Sequence, residues 1–109
     1  MAYDTSVAEV LRAALAGTDG IVERRMFGAL CFMLRGNMLC GALSDGGFFR
    51  VGKPGEPAAL ALPGVARMQM RARQMPGIVR VPPAVVADPA MRGRLLELAR
   101  AFVEPLPAK

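Results

Sequence analysis

The segment from residue 24 to residue 43, RRMFGALCFMLRGNMLCGAL, constrains the fold more than any other part of the sequence. Two apolar stretches, each carrying one cysteine, flank Gly36-Asn37, a dipeptide typical of a two-residue hairpin turn. A second turn signal, SDGG, separates this segment from FFRVG. These signals indicate an antiparallel meander, so we predict a chain that folds around a sheet with an apolar central hairpin.

With Gly36-Asn37 as the turn, the side chains of this hairpin divide into two faces. One face is large and branched and suits packing beneath helices: Leu30, Phe32, Leu34, Leu39 and Leu43. The other is Ala29, Cys31, Met33, Met38, Cys40 and Ala42. This second face is unusual because a sheet covered by helices on one side normally presents polar residues to water on the other.

Two explanations for the second apolar face stay open: the segment 53–66 folds over it, or a partner covers it. We predict the partner, in the form of a second copy of the chain. The predicted homodimer interface is the row of small or flexible side chains Cys31, Met33, Met38, Cys40 and Ala42.

The same register places Cys31 and Cys40 diagonally on one face, where a disulfide would need distortion. We therefore expect two reduced thiols. The two cysteines could serve as small, buried apolar side chains, or they could sense redox conditions.

The rest of the sequence predicts a helix near each end of the chain. Apolar spacing indicates a helix over about Ser6 to Ala16, with Ser6 and Glu9 as a capping box. Asp88-Pro89 starts a second helix that stops near Pro105. Between the helices, KPGEPAALALPGVA suggests a short helix with Pro57 in its first turn, and RMQM and GIVRV suggest strands. We predict a single α+β domain over residues 1–109: two layers, with an antiparallel sheet of about five to six strands and the terminal helices packed on one face.

Composition limits the classes of function. The chain has 109 residues, a net charge of +5 and no histidine. No histidine base is available to activate a serine or cysteine nucleophile, and the carboxylates are scattered along the sequence, so we expect no enzyme, no catalytic residues and no cofactor. Two cysteines alone fall short of a zinc site. No stretch is long enough to span a membrane and no signal peptide is apparent, so we expect a cytoplasmic protein with no membrane contact.

Arginine supplies most of the positive charge and suggests an alternative function. Side chains along the meander could form a basic stripe that contacts nucleic acid: Arg24, Arg25, Arg35, Arg50 and Arg80. The same excess of arginine is also expected from genomic base composition, and solvated strand positions must carry polar residues in any case.

Several short motifs resemble the TfoX/Sxy N-terminal domain family. They are, in order, Arg25-Met26-Phe27-Gly28, Cys31-Phe32-Met33-Leu34, Gly36-Asn37-Met38-Leu39-Cys40-Gly41, Asp45-Gly46, Arg50-Val51-Gly52, Ala59-Leu60-Ala61-Leu62-Pro63-Gly64 and Met75-Pro76-Gly77. The tail AFVEPLP resembles the family's closing helix. The resemblance spans nearly the whole chain, and the Met-Phe-Gly followed by the Gly-Asn hairpin is its most specific part.

The resemblance implies an α+β fold similar to secretion-chaperone-like domains, with helices against one face of an antiparallel sheet, often dimeric. Its best-known members regulate natural competence with the cyclic-AMP receptor protein at promoters, and they carry a second, helical domain. We therefore expect a stand-alone N-terminal domain of bacterial origin, non-enzymatic and active through protein contacts. Its candidate partners are a second copy of the chain and a transcription regulator.

Overall fold

The computed structural model describes residues 2–109, which form four helices and six strands. Their bounds, in chain order, are α1 Thr5–Ala14, β1 Ile21–Met26, β2 Ala29–Leu34, β3 Asn37–Leu43, β4 Gly46–Arg50, α2 Gly52–Leu60, β5 Ala66–Met70, β6 Arg73–Val81, α3 Pro83–Ala87 and α4 Pro89–Val103. The six strands make one antiparallel sheet in the order β1-β2-β3-β4-β6-β5. The predicted α+β class, the antiparallel sheet and the number of strands are confirmed.

The central hairpin turns one residue earlier than predicted. Arg35 and Gly36 occupy the turn, both with positive φ (48° and 85°), and Asn37 begins β3 opposite Leu34. Positive φ at both central residues defines the turn type that matches the twist of a hairpin. The side-chain amide of Asn37 donates a 2.9 Å hydrogen bond to the carbonyl of Pro107, which ties the start of β3 to the C-terminal segment. Gly36 is required on steric grounds as well, since a Cβ there would lie 2.8 Å from the carbonyl oxygen of Lys109.

A β-bulge in β3 also changes the pairing. Phe32 lies opposite Cys40 and Met33 lies opposite Met38, which leaves Leu39 as the extra residue. Such an extra residue shifts the alternation of side chains beyond it. The predicted face assignment of β3 was therefore wrong beyond the bulge.

The helices cover one face of the sheet and enclose the main core. Leu11 of α1 and Leu95 of α4 are fully buried there with Phe32 and Phe49 of the sheet. The prediction that both terminal helices pack on the same face is confirmed.

The ends of these helices follow from their capping residues. The carboxylate of Asp4 accepts hydrogen bonds from the amides of Ser6 and Val7, so α1 begins one residue earlier than expected and the predicted Ser6–Glu9 capping box does not form. Asp88 caps α4 in the same way, as predicted.

Three further elements differ from the prediction. The short helix α2 begins at Gly52, which places Pro57 in its interior rather than in its first turn. Strand β6 begins at Arg73, ahead of the predicted strand GIVRV, and so includes Met75 and Pro76 as well. The short helix α3 was not predicted; Pro83, its first residue, has no amide to satisfy and thus suits a helix start.

The sheet covers its own second face by curling. Met26 lies on one edge strand and Met68 on the other, yet both belong to the same apolar cluster. In a flat sheet, five strand spacings would separate these edges by about 24 Å. The segment 53–66, proposed above as a cover, instead forms α2 and packs with Ala59 into the core on the helix side. The concave face is thus sheltered by strands β5 and β6.

Candidate interaction site

The predicted dimer row does not form a continuous surface. Cys40 and Ala42 lie in the main core beneath the helices, with no exposed surface, because the bulge at Leu39 moves them to the helix side. Leu43, predicted for the helix side, joins the concave cluster instead. The prediction that both cysteines share one face was wrong for the same reason.

The remaining members of that row do lie on the concave face, but the chain itself shelters two of them. Cys31 and Met33 are buried in one apolar cluster with Phe48, Met68 and Ile78. Met38 is half-buried and belongs to the same cluster. These three residues are therefore the floor of a concavity rather than an exposed patch.

A cavity of about 230 Å³ lies in this concavity. Five methionines from four different strands line it: Met26, Met38, Met68, Met70 and Met75. The remaining lining comes from apolar side chains, including Phe27, Cys31, Phe48 and Ile78. We call this space the methionine cavity.

The sequence predicted that Met38 and Cys31 share an apolar face, but it did not predict most of the residues that line the cavity. The chain has eight methionines, so five of them converge on one space. A signal was available in Met68 and Met70, which are two residues apart in a strand and so share a face. The convergence itself was not visible, because it depends on β5 and β1 approaching each other across the curled sheet.

Phe27 stands at the mouth of the cavity and is 87 % exposed. It occupies the turn between β1 and β2 with a positive φ of 53°, beside Gly28 at 77°. On one side of Phe27 a surface depression is lined by Arg71 and Arg73. On the other side the guanidinium of Arg80 pairs with the carboxylate of Asp45 at 2.7 Å.

The five arginines proposed for nucleic acid do not form one stripe. Arg24 lies opposite Cys31 and faces the concave side, whereas Arg25 lies opposite Leu30 on the helix side, with its guanidinium carbon 5.8 Å from the centre of the Tyr3 ring. The other three arginines make intramolecular contacts. Arg35 donates to the carbonyl of Glu104 at 2.9 Å, Arg50 lies 5.4 Å from the centre of the Phe102 ring, and Arg80 pairs with Asp45.

Both cysteines are free, buried thiols. Burial raises the pKa of the Cys40 thiol strongly and raises the pKa of Cys31 as well. A raised pKa lowers the fraction of reactive thiolate, which disfavours the redox-sensing reading. The two side chains also point to opposite sides of the sheet, one to each apolar cluster.

A buried carboxylate positions the strands next to the cavity. Glu56 of α2 accepts hydrogen bonds from the backbone amide of Gly77 and from the guanidinium of Arg67, which link α2 to β6 and β5. The Gly77 amide first, and the Arg67 guanidinium second, hold the pKa of Glu56 below its usual range. This contact holds the helix layer against the two strands that shelter the concave face.

These features define a class of protein: a small α+β domain with helices on one face of a curled antiparallel sheet and an apolar concavity on the other. Within residues 2–109, no cluster of three or more histidine, cysteine or acidic side chains could hold a metal ion. No helix in that range is long and apolar enough to cross a membrane.

The family model described as the TfoX N-terminal domain matches residues 13–103, and the chain belongs to this family. The match covers most of the 109 residues and confirms the resemblance drawn from the motifs. No significant match was found among curated proteins or among solved structures.

Proposed function

We propose that this chain is a non-enzymatic, cytoplasmic protein-interaction domain that associates with a second copy along strand β1. One observation carries the proposal. The two large apolar side chains that residues 2–109 expose, Val22 at 63 % and Phe27 at 87 %, lie on β1 and on the turn that follows it. Exposed apolar groups on a free sheet edge favour pairing with another strand.

Strand β1 offers unpaired backbone groups for this association. In the described chain it pairs with β2 alone. Met26 and Ala29 flank the two-residue turn and form a hydrogen-bonded pair. Along an antiparallel strand every second residue is hydrogen-bonded to its neighbour, so the backbone groups of Ile21, Glu23 and Arg25 point away from β2. The amide of Arg35, which donates to the carbonyl of Gly20, agrees with this alternation.

The other edge of the sheet suits pairing less well. Strand β5 has a register irregularity between Arg67 and Gln69. Irregularities of this kind twist an edge strand and discourage addition of a further strand. The side chain of Arg67 is also held by Glu56.

Side-chain chemistry selects one register for two antiparallel β1 strands. When the pair is centred on Arg24, Glu23 of each copy lies opposite Arg25 of the other, and Val22 lies opposite Met26. Opposite charges and apolar pairs directly across strands are favourable. The same register places the two Arg24 side chains against each other, a cost that these four pairs offset. A pair centred on Glu23 would place the two Glu23 carboxylates against each other and Val22 against Arg24, with no pair of opposite charges to offset them.

A pair of six-residue edges is small, so we expect a weak, reversible dimer rather than an obligate one. The intramolecular contacts of Arg35, Arg50 and Arg80 favour protein association over the nucleic-acid alternative. The two free thiols fit a reducing compartment. The family further suggests that the chain acts together with a transcription regulator, for example in natural competence. We propose this function on the basis of the family alone.

Sedimentation velocity of charge-reversal variants tests the association. Glu23→Arg and Arg25→Glu should each abolish the dimer, because each places like charges opposite each other. The double variant should restore it by exchanging the two signs. Arg94→Gln is the control, since it removes a charge on α4 that takes no part in the proposed pair. A wild type that stays monomeric at high micromolar concentration, or reversals that leave the dimer unchanged, would contradict the proposal.

A further inference from the structure

The methionine cavity has the size and lining of a site for a small apolar group. Its volume of about 230 Å³ exceeds the roughly 150 Å³ cavity that accepts benzene in an engineered protein core. It is smaller than the roughly 300 to 1,000 Å³ of sites for drug-sized ligands. A short alkyl chain or one small ring system fits this range.

The lining suits an apolar guest of variable shape. Methionine side chains are unbranched and polarisable, and they adapt to the group they contact. Three of the cavity methionines, Met26, Met70 and Met75, come from the parts of β1, β5 and β6 nearest the mouth. The mouth can therefore open by side-chain rotation, without separation of the strands.

The positive charge beside the mouth of the cavity favours a ligand with an anionic group at one end. Phe27, Met70 and Met75 line both the cavity and the depression that contains Arg71 and Arg73, so the two spaces are continuous. No acidic side chain is among the described residues that line this depression. Arg71 and Arg73 are exposed and free to meet an anion. On the opposite side of Phe27, Asp45 already neutralises Arg80.

We propose that the methionine cavity binds a small amphiphile: an apolar chain or ring that fills the cavity, bearing one anionic group that contacts Arg71 and Arg73. The proposal goes beyond the association along β1 and does not depend on it. Burial of the apolar part supplies most of the affinity, and the two arginines set its orientation.

The test uses octanoate as the probe, with octan-1-ol as its uncharged match. Methyl NMR of the full chain with labelled methionine methyl groups should show shifts on addition of octanoate at Met26, Met38, Met68, Met70 and Met75. Met91 packs against the helix-side core and serves as the internal reference that should not move. This measurement uses the wild-type protein and needs no variant to fold.

Two kinds of variant separate the apolar and anionic contributions. Ala29→Leu adds apolar volume inside the cavity and should weaken both probes by about tenfold or more, since the guest loses its space. Arg71→Gln and Arg73→Gln should each weaken octanoate by about two- to fivefold, the range of an exposed ion pair, and leave octan-1-ol unchanged. Arg94→Gln removes the same charge on α4 and is the control that should change neither.

Several results would overturn the proposal. One is the absence of methionine shifts with millimolar octanoate. Another is unchanged octanoate affinity in an Ala29→Leu variant whose circular dichroism shows that it is folded. Octanoate affinity that neither Arg71→Gln nor Arg73→Gln lowers would refute the anionic part. Shifts of the cavity methionines on dimer formation, without any response to octanoate, would assign the cavity to a protein side chain and refute the ligand.

Discussion

The carboxylate of Glu56 accepts a 2.5 Å hydrogen bond from the backbone amide of Gly77, which joins the short helix α2 to the middle of β6. Gly77 has a φ of +83°, and a Cβ there would lie 3.1 Å from the Cα of Gly52. The close approach of these two backbones lets a helix residue reach a strand amide. The contact fixes β6, and with it Ile78 and Met75, over the concave face.

This contact predicts a pH-dependent stability. Because the pKa of Glu56 is lower in the folded chain, the ionised carboxylate stabilises the fold above its unfolded pKa, and this contribution is lost as pH falls through the folded value. Glu56→Gln should destabilise the protein by about 1.5 to 3 kcal/mol at neutral pH, the range for hydrogen bonds to a charged group. Urea unfolding followed by circular dichroism measures the loss.

The difference between wild type and Glu56→Gln should shrink as pH falls below the ordinary pKa of a glutamate and through the lower pKa of the folded chain. Glu23→Gln is the matched control, because Glu23 pairs with Arg12 on the surface and should contribute at most about 1 kcal/mol. A pH-independent difference at Glu56 would contradict the role of its charge.

Phe32 carries much of the core beneath the helices. It is almost completely buried, at 1 % exposure, so Phe32→Ala should destabilise by about 3 to 5 kcal/mol through lost burial and a cavity. Phe27→Ala removes the same ring from an exposed turn and should change the unfolding free energy by no more than about 0.5 kcal/mol. Similar losses for the two variants would contradict the assigned core.

Gly41 leaves room for the ring of Phe48 above the central strands. A Cβ at residue 41 would lie 2.4 Å from that ring and 2.6 Å from the carbonyl oxygen of Leu30. Gly41→Ala should therefore destabilise by about 1 to 3 kcal/mol and displace Phe48, which lines the methionine cavity.

The matched control for this substitution is Gly93→Ala in α4. No neighbour lies within 4 Å of a Cβ there, so alanine should raise the stability by about 0.5 to 1 kcal/mol. Thermal unfolding of both variants gives the comparison, and a neutral Gly41→Ala would show that the strands adjust without strain.

The two thiols should be protected in the folded protein. Cys40 is buried beneath the helices and Cys31 borders the methionine cavity. In the single-cysteine variants Cys31→Ser and Cys40→Ser, the remaining thiol should react with N-ethylmaleimide at least about tenfold more slowly than in urea. Cys31 should react faster than Cys40, because the cavity opens without unfolding the core. If Cys31 reacted with N-ethylmaleimide equally fast in the folded and unfolded states, a redox-sensing role for Cys31 would again be supported.

Arg24 should oppose the proposed dimer. In the register centred on this residue the two guanidinium groups face each other across the strands, and like charges in that position are destabilising. Arg24→Gln should therefore tighten the dimer by up to about fivefold, equivalent to about 1 kcal/mol. Arg94→Gln removes the same charge from α4 and should have no effect. A weaker dimer in Arg24→Gln would rule out this register.

The sequence alone determined the class of the fold and its family. Apolar stretches and turn signals are local properties, so they predicted the antiparallel meander. Asp88-Pro89 predicted the start of α4 because a cap depends on neighbours within one turn. The Met-Phe-Gly motif and the Gly-Asn hairpin identified the TfoX N-terminal domain family.

Only the tertiary structure decided which face each side chain occupies. The bulge at Leu39 shifts the register by one residue, and one residue is enough to move Cys40 and Ala42 to the helix side. The cavity depended on tertiary structure even more strongly. Its methionines are scattered from residue 26 to residue 75, and they meet because the twist of six strands brings the two edges of the sheet together, a cumulative effect that no short window of sequence contains.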